Sequence, residues 1–325
     1  MATNVFTDSA TAGAITQPPS GRDFLVDRSF RGLALCGAVV IIILVAYILW
    51  KIGGQAWPAI SKYHLSFLTT SSWNVQENVY GILPEIWGTL YSSLLALLIG
   101  GFFGVTVAIF LTQDFLPPRL AIVFRTIIEM LAAIPSVVFG LWGIFVVIPA
   151  IRPLANWLYE SLGWFPLFST SLSGPGLAPA TIVLAIMILP TIAAISQDAL
   201  NLVPYRTKEA AYGMGATRWE AILKVIVPTA AGGIFSAMVL GFGRALGETM
   251  ALAMLIGNSN TISLSLFSPA QTLASLLASH FPEAGPAEVE ALMYAALALL
   301  FITLIVNIVG IGILQVTQRR ISGKS

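Results

Sequence analysis

Apolar runs without a single charge alternate along this chain with short polar segments. Leu33 to Trp50 is the first, and others occur at 86–113, 130–151, 177–197, 225–243 and 291–318; the fifth continues past two charges to about residue 255. A helix of about 20 residues crosses a bilayer. The pattern therefore predicts an all-α polytopic membrane protein with six transmembrane helices, at about 33–52, 86–113, 125–151, 177–198, 228–256 and 290–318. Residues 1–32 are polar and rich in Ser, Thr, Pro and Gly, the composition of a disordered tail. The first run is too long for a removed signal peptide and lacks a small-residue cleavage pattern after it, so it reads as a signal anchor. Residues 33–318 form one integral domain, and 319–325 are a short polar tail.

The polar segment 203–228, between two long apolar runs, predicts two short helices joined at an elbow. Pro204 suits a first helical turn, where its missing N–H would be unpaired in any case, and Gly213 and Gly215 interrupt the helix that it starts. Thr217-Arg218-Trp219-Glu220 has the spacing of a capping box, so a second helix starts there. Trp219, Ile222, Leu223 and Ile226 give it one apolar face, and Pro228 is expected to end it.

Three readings of this segment compete. A DNA-binding helix–elbow–helix would use Arg206, Lys208, Arg218 and Lys224, but Glu209 and Glu220 leave little net charge and membrane spans flank it closely. An amphipathic loop lying on the bilayer surface is the second. The third, a docking element for a partner protein, rests on a resemblance described below, and the small residues fit it because they let a partner's backbone approach.

Composition excludes a soluble protein. With 57% hydrophobic residues, 10% charged and a mean hydropathy of +0.87, polar atoms are too few to cover a water-exposed surface. The net charge of +1 says little, but its distribution says more. Twelve of the sixteen basic residues fall in the two tails, around 119–125 and within 203–228. The positive-inside rule then places both termini and the 203–228 segment in the cytoplasm. The outer segments, roughly 51–85, 152–176 and 257–290, are rich in aromatics; an aromatic belt at the interface and a docking surface for an external protein both fit. Cys36 is alone, and His64 and His280 lack paired metal ligands, so no metal site is expected.

Charges inside spans carry the candidate chemistry. Arg244 and Glu248 lie deep in the fifth span, and their four-residue step would put them on one helical face, close enough to pair. Arg125 and Glu129 repeat the spacing at the inner end of the third span, where Arg125 could also snorkel to the surface. Gly241, Gly243 and Gly247 thin the helix around Arg244, and Pro135 falls inside the third span. A static ion pair holding helices together and a solute path are both consistent with Arg244 and Glu248.

Glu209-Ala210-Ala211, then Gly215, then Val225-Ile226-Val227-Pro228 resembles the EAA loop of ABC importer permeases, with Val at positions where Ile and Leu are usual. The run 134–143, Ile-Pro-Ser-Val-Val-Phe-Gly-Leu-Trp-Gly, and Gly243-Arg244-Ala245-Leu246-Gly247-Glu248-Thr249-Met250 resemble the PstC-type permeases of phosphate importers. The resemblance implies a MetI-like type I permease architecture with cytoplasmic coupling helices in a bacterial inner membrane. It also implies partners: a pair of ATP-binding subunits, a homologous PstA-like permease and an extracytoplasmic phosphate-binding protein. Glu209, Ala210, Ala211, Gly215 and Pro228 would couple to the ATPase, while Arg244, Glu248, Glu129 and Arg125 would line the substrate path. No cofactor is expected on this chain, since it has no Walker A sequence, and ATP-Mg would be used by the partner. A permease for sulfate or molybdate, a secondary anion carrier and an intramembrane lipid-phosphate enzyme are the other readings; nucleic acid is not an expected partner.

Overall fold

The computed structural model describes residues 21–322, so residues 1–20 and 323–325 of the expected tails lie outside the described residues. Helix α1 (Gly21–Tyr63) begins within the stretch expected to be disordered: residues 21–32 are helical. Its residues 21–54 form a unit of their own, a rod of exposed aliphatic side chains, and the second unit begins at Gln55.

In the second unit, a short helix α2 (Ser66–Thr69) leads into a hairpin of β1 (Trp73–Asn74) and β2 (Val79–Tyr80), with Trp73 opposite Tyr80. The Asn74 side chain accepts N–H bonds from Gln76 and Glu77 at 3.0 and 3.3 Å and so closes the hairpin turn. Then come α3 (Leu83–Thr112), α4 (Pro118–Ala133) and α5 (Ser136–Trp142), the last continuing through a π turn (Gly143–Val147) into α6 (Ile148–Leu162). Helix α7 (Leu177–Asn201) precedes the polar elbow, made of α8 (Tyr205–Gly213) and α9 (Arg218–Ala221). A second π turn (Ile222–Ile226) joins α9 to α10 (Val227–Leu246), followed by α11 (Met250–Leu255), α12 (Leu273–His280) and α13 (Pro286–Ser322). Among the described residues, six helical stretches are long and apolar enough to cross a membrane: Phe24–Tyr63, Leu83–Thr112, Ser136–Leu162, Leu177–Asn201, Arg218–Leu246 and Pro286–Gln315.

Three local expectations are corrected. The third span was expected as one helix, 125–151, with Pro135 inside it. Instead α4 ends at Ala133, Ile134 is extended (ψ 128°), and a new helix starts after Pro135. The ring of a proline pushes its predecessor out of the helical region, and here nothing resists. The fifth span was expected to continue to 256, but α10 stops at Leu246 and α11 is a separate short helix. Pro228 was expected to end a helix and does not. The π turn just before it shifts the bonding register, with Ile148 and Val227 each donating back five residues, to Gly143 and Ile222, ahead of Pro149 and Pro228. A proline that offers no N–H then costs the continuing helix little.

Helix α7 is the axis of the second unit. Of its apolar window 67% is buried, against 28% or less for the other spans, and it packs on α3, α10, α4 and α11. The core follows α3 from end to end. Ile82 and Tyr80 join Phe67, Leu273, Leu276 and Leu292 at the hairpin end; Ala96 meets Leu184 and Ile188 midway; Ala108 meets Leu200, Ile222 and Ile226 at the elbow end.

Candidate functional site

A cleft of about 320 Å³ opens between α4 and α7. Helical spacing decides which side chains reach it. Arg125 and Glu129 are one turn apart on α4, and Thr191, Asp198 and Asn201 recur at three- and four-residue multiples on α7, with Gln197 beside them. Among the described residues Arg125, Glu129 and Asp198 have no ion-pair partner. Such a cleft presents one cation, two carboxylates and several neutral hydrogen-bonding groups to whatever enters it.

Arg244 joins this wall from α10. Its Nη1 donates to Thr191 Oγ1 at 3.1 Å. The approach depends on Gly241, one turn earlier on α10: a Cβ there would sit 2.6 Å from Ile192 Cγ1, so any larger residue would push α10 off α7. Arg244 does not pair with Glu248. Because α10 ends at Leu246, the four-residue step between them is not a helical turn, and Glu248 instead accepts the N–H of Ala251 at 3.4 Å at the start of α11. Two of the four expected path residues, Arg125 and Glu129, thus line the cleft, Arg244 reaches its wall through Thr191, and Glu248 sits in the break between α10 and α11. Thr191 and Asp198 belong to the same cleft and gave no signal in the sequence. A threonine and a terminal aspartate in an apolar run draw no notice until the partner helix is placed.

The elbow is built as its residues specify. Gly215 has φ +81°, a left-handed conformation that lets the chain reverse between α8 and α9 at low cost. Thr217 and Glu220 form the expected capping box: Thr217 Oγ1 accepts the Glu220 N–H at 3.4 Å, and Glu220 Oε2 accepts the Thr217 N–H at 3.1 Å. Lys224 pairs with Glu220 at 3.2 Å. Of the expected coupling residues, Glu209, Ala210, Gly215 and Pro228 are exposed, while Ala211 turns inward. Tyr205, Met214 and Leu202 are also exposed, Met214 at 89%, so this end of the bundle offers an apolar surface fitted to a partner.

The elbow is not free of the bundle. Arg218 Nη2 donates to the carbonyl of Gln113, the C-cap of α3, and the guanidinium lies 4.1 Å over the Phe115 ring. Phe115 also stacks on Phe110 of α3 at 4.8 Å and meets Trp219 at 5.0 Å.

At the opposite end a second polar group is fully engaged. Glu288 Oε1, buried at 6% exposure, accepts Trp73 Nε1 at 3.2 Å and lies 3.0 Å from His280 Nδ1. The Trp73 and His280 rings meet edge to face at 5.7 Å. Burial, helped by Glu288 and Tyr63, pushes the Tyr80 hydroxyl above its ordinary range. His280, which the sequence left without a partner, therefore has one, eight residues away across the turn between α12 and α13.

Comparison with known proteins agrees with this architecture. The family described as "Binding-protein-dependent transport system inner membrane component" matches residues 104–323. A Pasteurella multocida (strain Pm70) protein named phosphate transport system permease protein PstC is 40% identical over 87% of this chain and 89% of its own. Among solved structures, a bacterial alginate ABC transporter in complex with an alginate-bound periplasmic protein aligns with a TM-score of 0.60 at 16% identity, covering 88% of this chain and 94% of that one. The MetNI methionine ABC transporter in an inward-facing form aligns with a TM-score of 0.53 at 18% identity, covering 73% and 95%. These structures share the fold.

Proposed function

The chain belongs to the binding-protein-dependent transport system inner membrane components, and from that premise we propose that it is the PstC-type permease subunit of an ATP-driven importer that moves inorganic phosphate into the cytoplasm. It is a transport subunit, and the energy comes from an ATPase in a separate chain. Family membership brings an ATP-binding subunit and an external solute-binding protein as partners. A PstA-like second permease, a pair of ATPase subunits using ATP-Mg, and a phosphate-binding external protein complete the proposed assembly. The basic residues of the elbow and of the stretch around 119–125 support a cytoplasmic position for that end of the bundle, where in this reading an ATPase meets Glu209, Ala210, Ala211, Gly215 and Pro228.

The observation that carries the reading is the tether of Arg244 to Thr191 on the cleft wall. A guanidinium offers a planar fork of N–H donors that matches phosphate oxygens, and in a water-poor site the attraction counts for more than in bulk water. An arriving phosphate takes the remaining N–H donors of the fork, while the Thr191 hydroxyl keeps its bond to Nη1 and holds the guanidinium in place. Arg125, on the facing α4 wall of the cleft, gives the anion a second cation to pass. In this reading Glu248, which accepts one long N–H bond, also accepts the P–OH hydrogen that phosphate carries at neutral pH and sulfate does not.

The test is uptake into proteoliposomes holding the assembled importer. ATP-dependent phosphate uptake that falls at least about a hundredfold in Arg244→Gln, roughly the effect of losing a charge-assisted contact to the anion, with complex yield unchanged, supports the reading. Wild-type uptake by the variant, equal uptake of sulfate, or uptake that a protonophore abolishes despite ample ATP would each count against it.

A further inference from the structure

Helix α4 is a wall of the cleft with breaks at both ends. Its C-terminal end stops at the extended Ile134, and its N-terminal end comes after a turn in which Asp114 adopts φ +54° and Pro117 caps the helix at ψ 144°. Although α4 carries Arg125 and Glu129, none of its side chains is buried in this chain. Packing therefore holds it weakly, and its position is set at its ends.

The N-terminal end is where the elbow grips. Phe115, two residues before the Pro117-Pro118 pair that starts α4, is held between Phe110 on one side and Arg218 and Trp219 on the other, while Arg218 also binds the carbonyl of Gln113. The two prolines leave little torsional freedom between Phe115 and the first turn of α4. Displacement of α9 is thus passed to the root of α4, and the break at Ile134 lets the helix pivot. The other route out of the elbow is different in kind. Toward Arg244 the chain runs through the π turn at Ile222–Ile226, a wider and less regular turn.

We propose that the Arg218–Phe115–Gln113 clamp is the mechanical joint of the importer: it makes α4, with Arg125 and Glu129, follow the coupling elbow as the ATPase cycles, and so opens and closes the cleft. Arg218 and Phe115 are positioning residues in this scheme and touch no solute. The inference rests on the assignment of the elbow as the ATPase-coupling element.

The experiment uses the reconstituted importer and compares phosphate moved per ATP hydrolysed. Phe115→Leu keeps apolar bulk against Phe110 but removes the ring face under the guanidinium; Arg218→Ala removes the cation, and Arg218→Lys restores it. The ratio is expected to fall roughly fivefold or more in Phe115→Leu and Arg218→Ala, the lower end of ordinary coupling strengths, with Arg218→Lys recovering most of it. A purely structural role would lower transport and ATP hydrolysis together and leave the ratio constant; that result, or an unchanged ratio in both variants, overturns the joint.

A second readout does not depend on which solute is carried. In a Cys36→Ser background, spin labels at Leu120 on α4 and Leu223 beyond α9 should keep one separation with and without ATP, and Phe115→Leu should make that separation vary. A separation that already varies in the unmodified joint overturns the proposal. If the labels behave as expected while phosphate is not carried, the joint stands and the choice of solute fails.

Discussion

Two groups of polar side chains lie at opposite ends of the bundle, and they are built on contrary principles. At the hairpin end, Glu288 is buried and engaged by both Trp73 and His280, so three elements are pinned through one carboxylate oxygen. In the α4–α7 cleft, Arg125, Glu129 and Asp198 face open space with no ion-pair partner among the described residues, and Arg244 holds only a neutral hydroxyl. A satisfied buried carboxylate has little left to offer a ligand, and its removal strands the groups it served. An unsatisfied charge does nothing for the lone fold and keeps its full capacity for a passing ion. In the proposed reading one end fastens and the other functions, although both present the same kinds of residues to a sequence reader.

The contrast breaks most visibly if cleft charges turn out to hold the protein together. Arg125→Gln should lower ATP-driven phosphate uptake by roughly tenfold, about 1.4 kcal/mol of lost stabilisation along the path, while the thermal midpoint of the purified complex in detergent stays within the scatter of surface substitutions. A large fall in that midpoint would reassign Arg125 to the fastening group. Glu288→Ala should do the reverse. Leaving the Trp73 indole and the His280 ring without their acceptor should cost about 2 kcal/mol of stability, seen as earlier unfolding and easier proteolysis in the 73–80 hairpin, with phosphate moved per ATP unchanged. Loss of transport from a fully folded Glu288→Ala protein would show that the corner is more than a fastener.

Much of this was legible in the residues, for reasons that can be stated. Apolar runs of span length cannot be anything but membrane helices, and the Thr217–Glu220 box is a local device whose partners are three residues apart, so both appear as expected. Prolines were harder. Pro135 and Pro228 both sit in apolar surroundings, yet one comes after an extended residue at a helix break and the other after a helical residue beyond a π turn. The outcome depends on whether the preceding turn can widen, which nearest-neighbour chemistry does not reveal. Pairings across a chain reversal were beyond reach too: His280 with Glu288 needs the turn between α12 and α13, and Arg244 with Thr191 needs α10 laid on α7. Glu248 was misplaced for the same cause, since a four-residue step pairs side chains only while the helix continues.

The finest separation of the two groups comes from a residue with a foot in each. Thr191 fastens Arg244 with one hydrogen bond and also lines the cleft. If the hydroxyl serves mainly to aim the guanidinium, Thr191→Val, which keeps the shape and removes the oxygen, loses one hydrogen bond to a charged group, a matter of about 1.5 kcal/mol. Uptake at limiting external phosphate should then fall by roughly tenfold, because Arg244 spends less time directed at the solute, and saturating phosphate should recover most of the rate. Thr191→Ser, which retains the oxygen, should behave as the wild type. Stability should barely move, since the Arg244 side chain is exposed on this face of the lone chain and can turn to other acceptors. A loss in the serine variant with none in the valine variant would mean that Thr191 acts through packing of its methyl group, and Thr191 would then belong to the fastening group with Glu288.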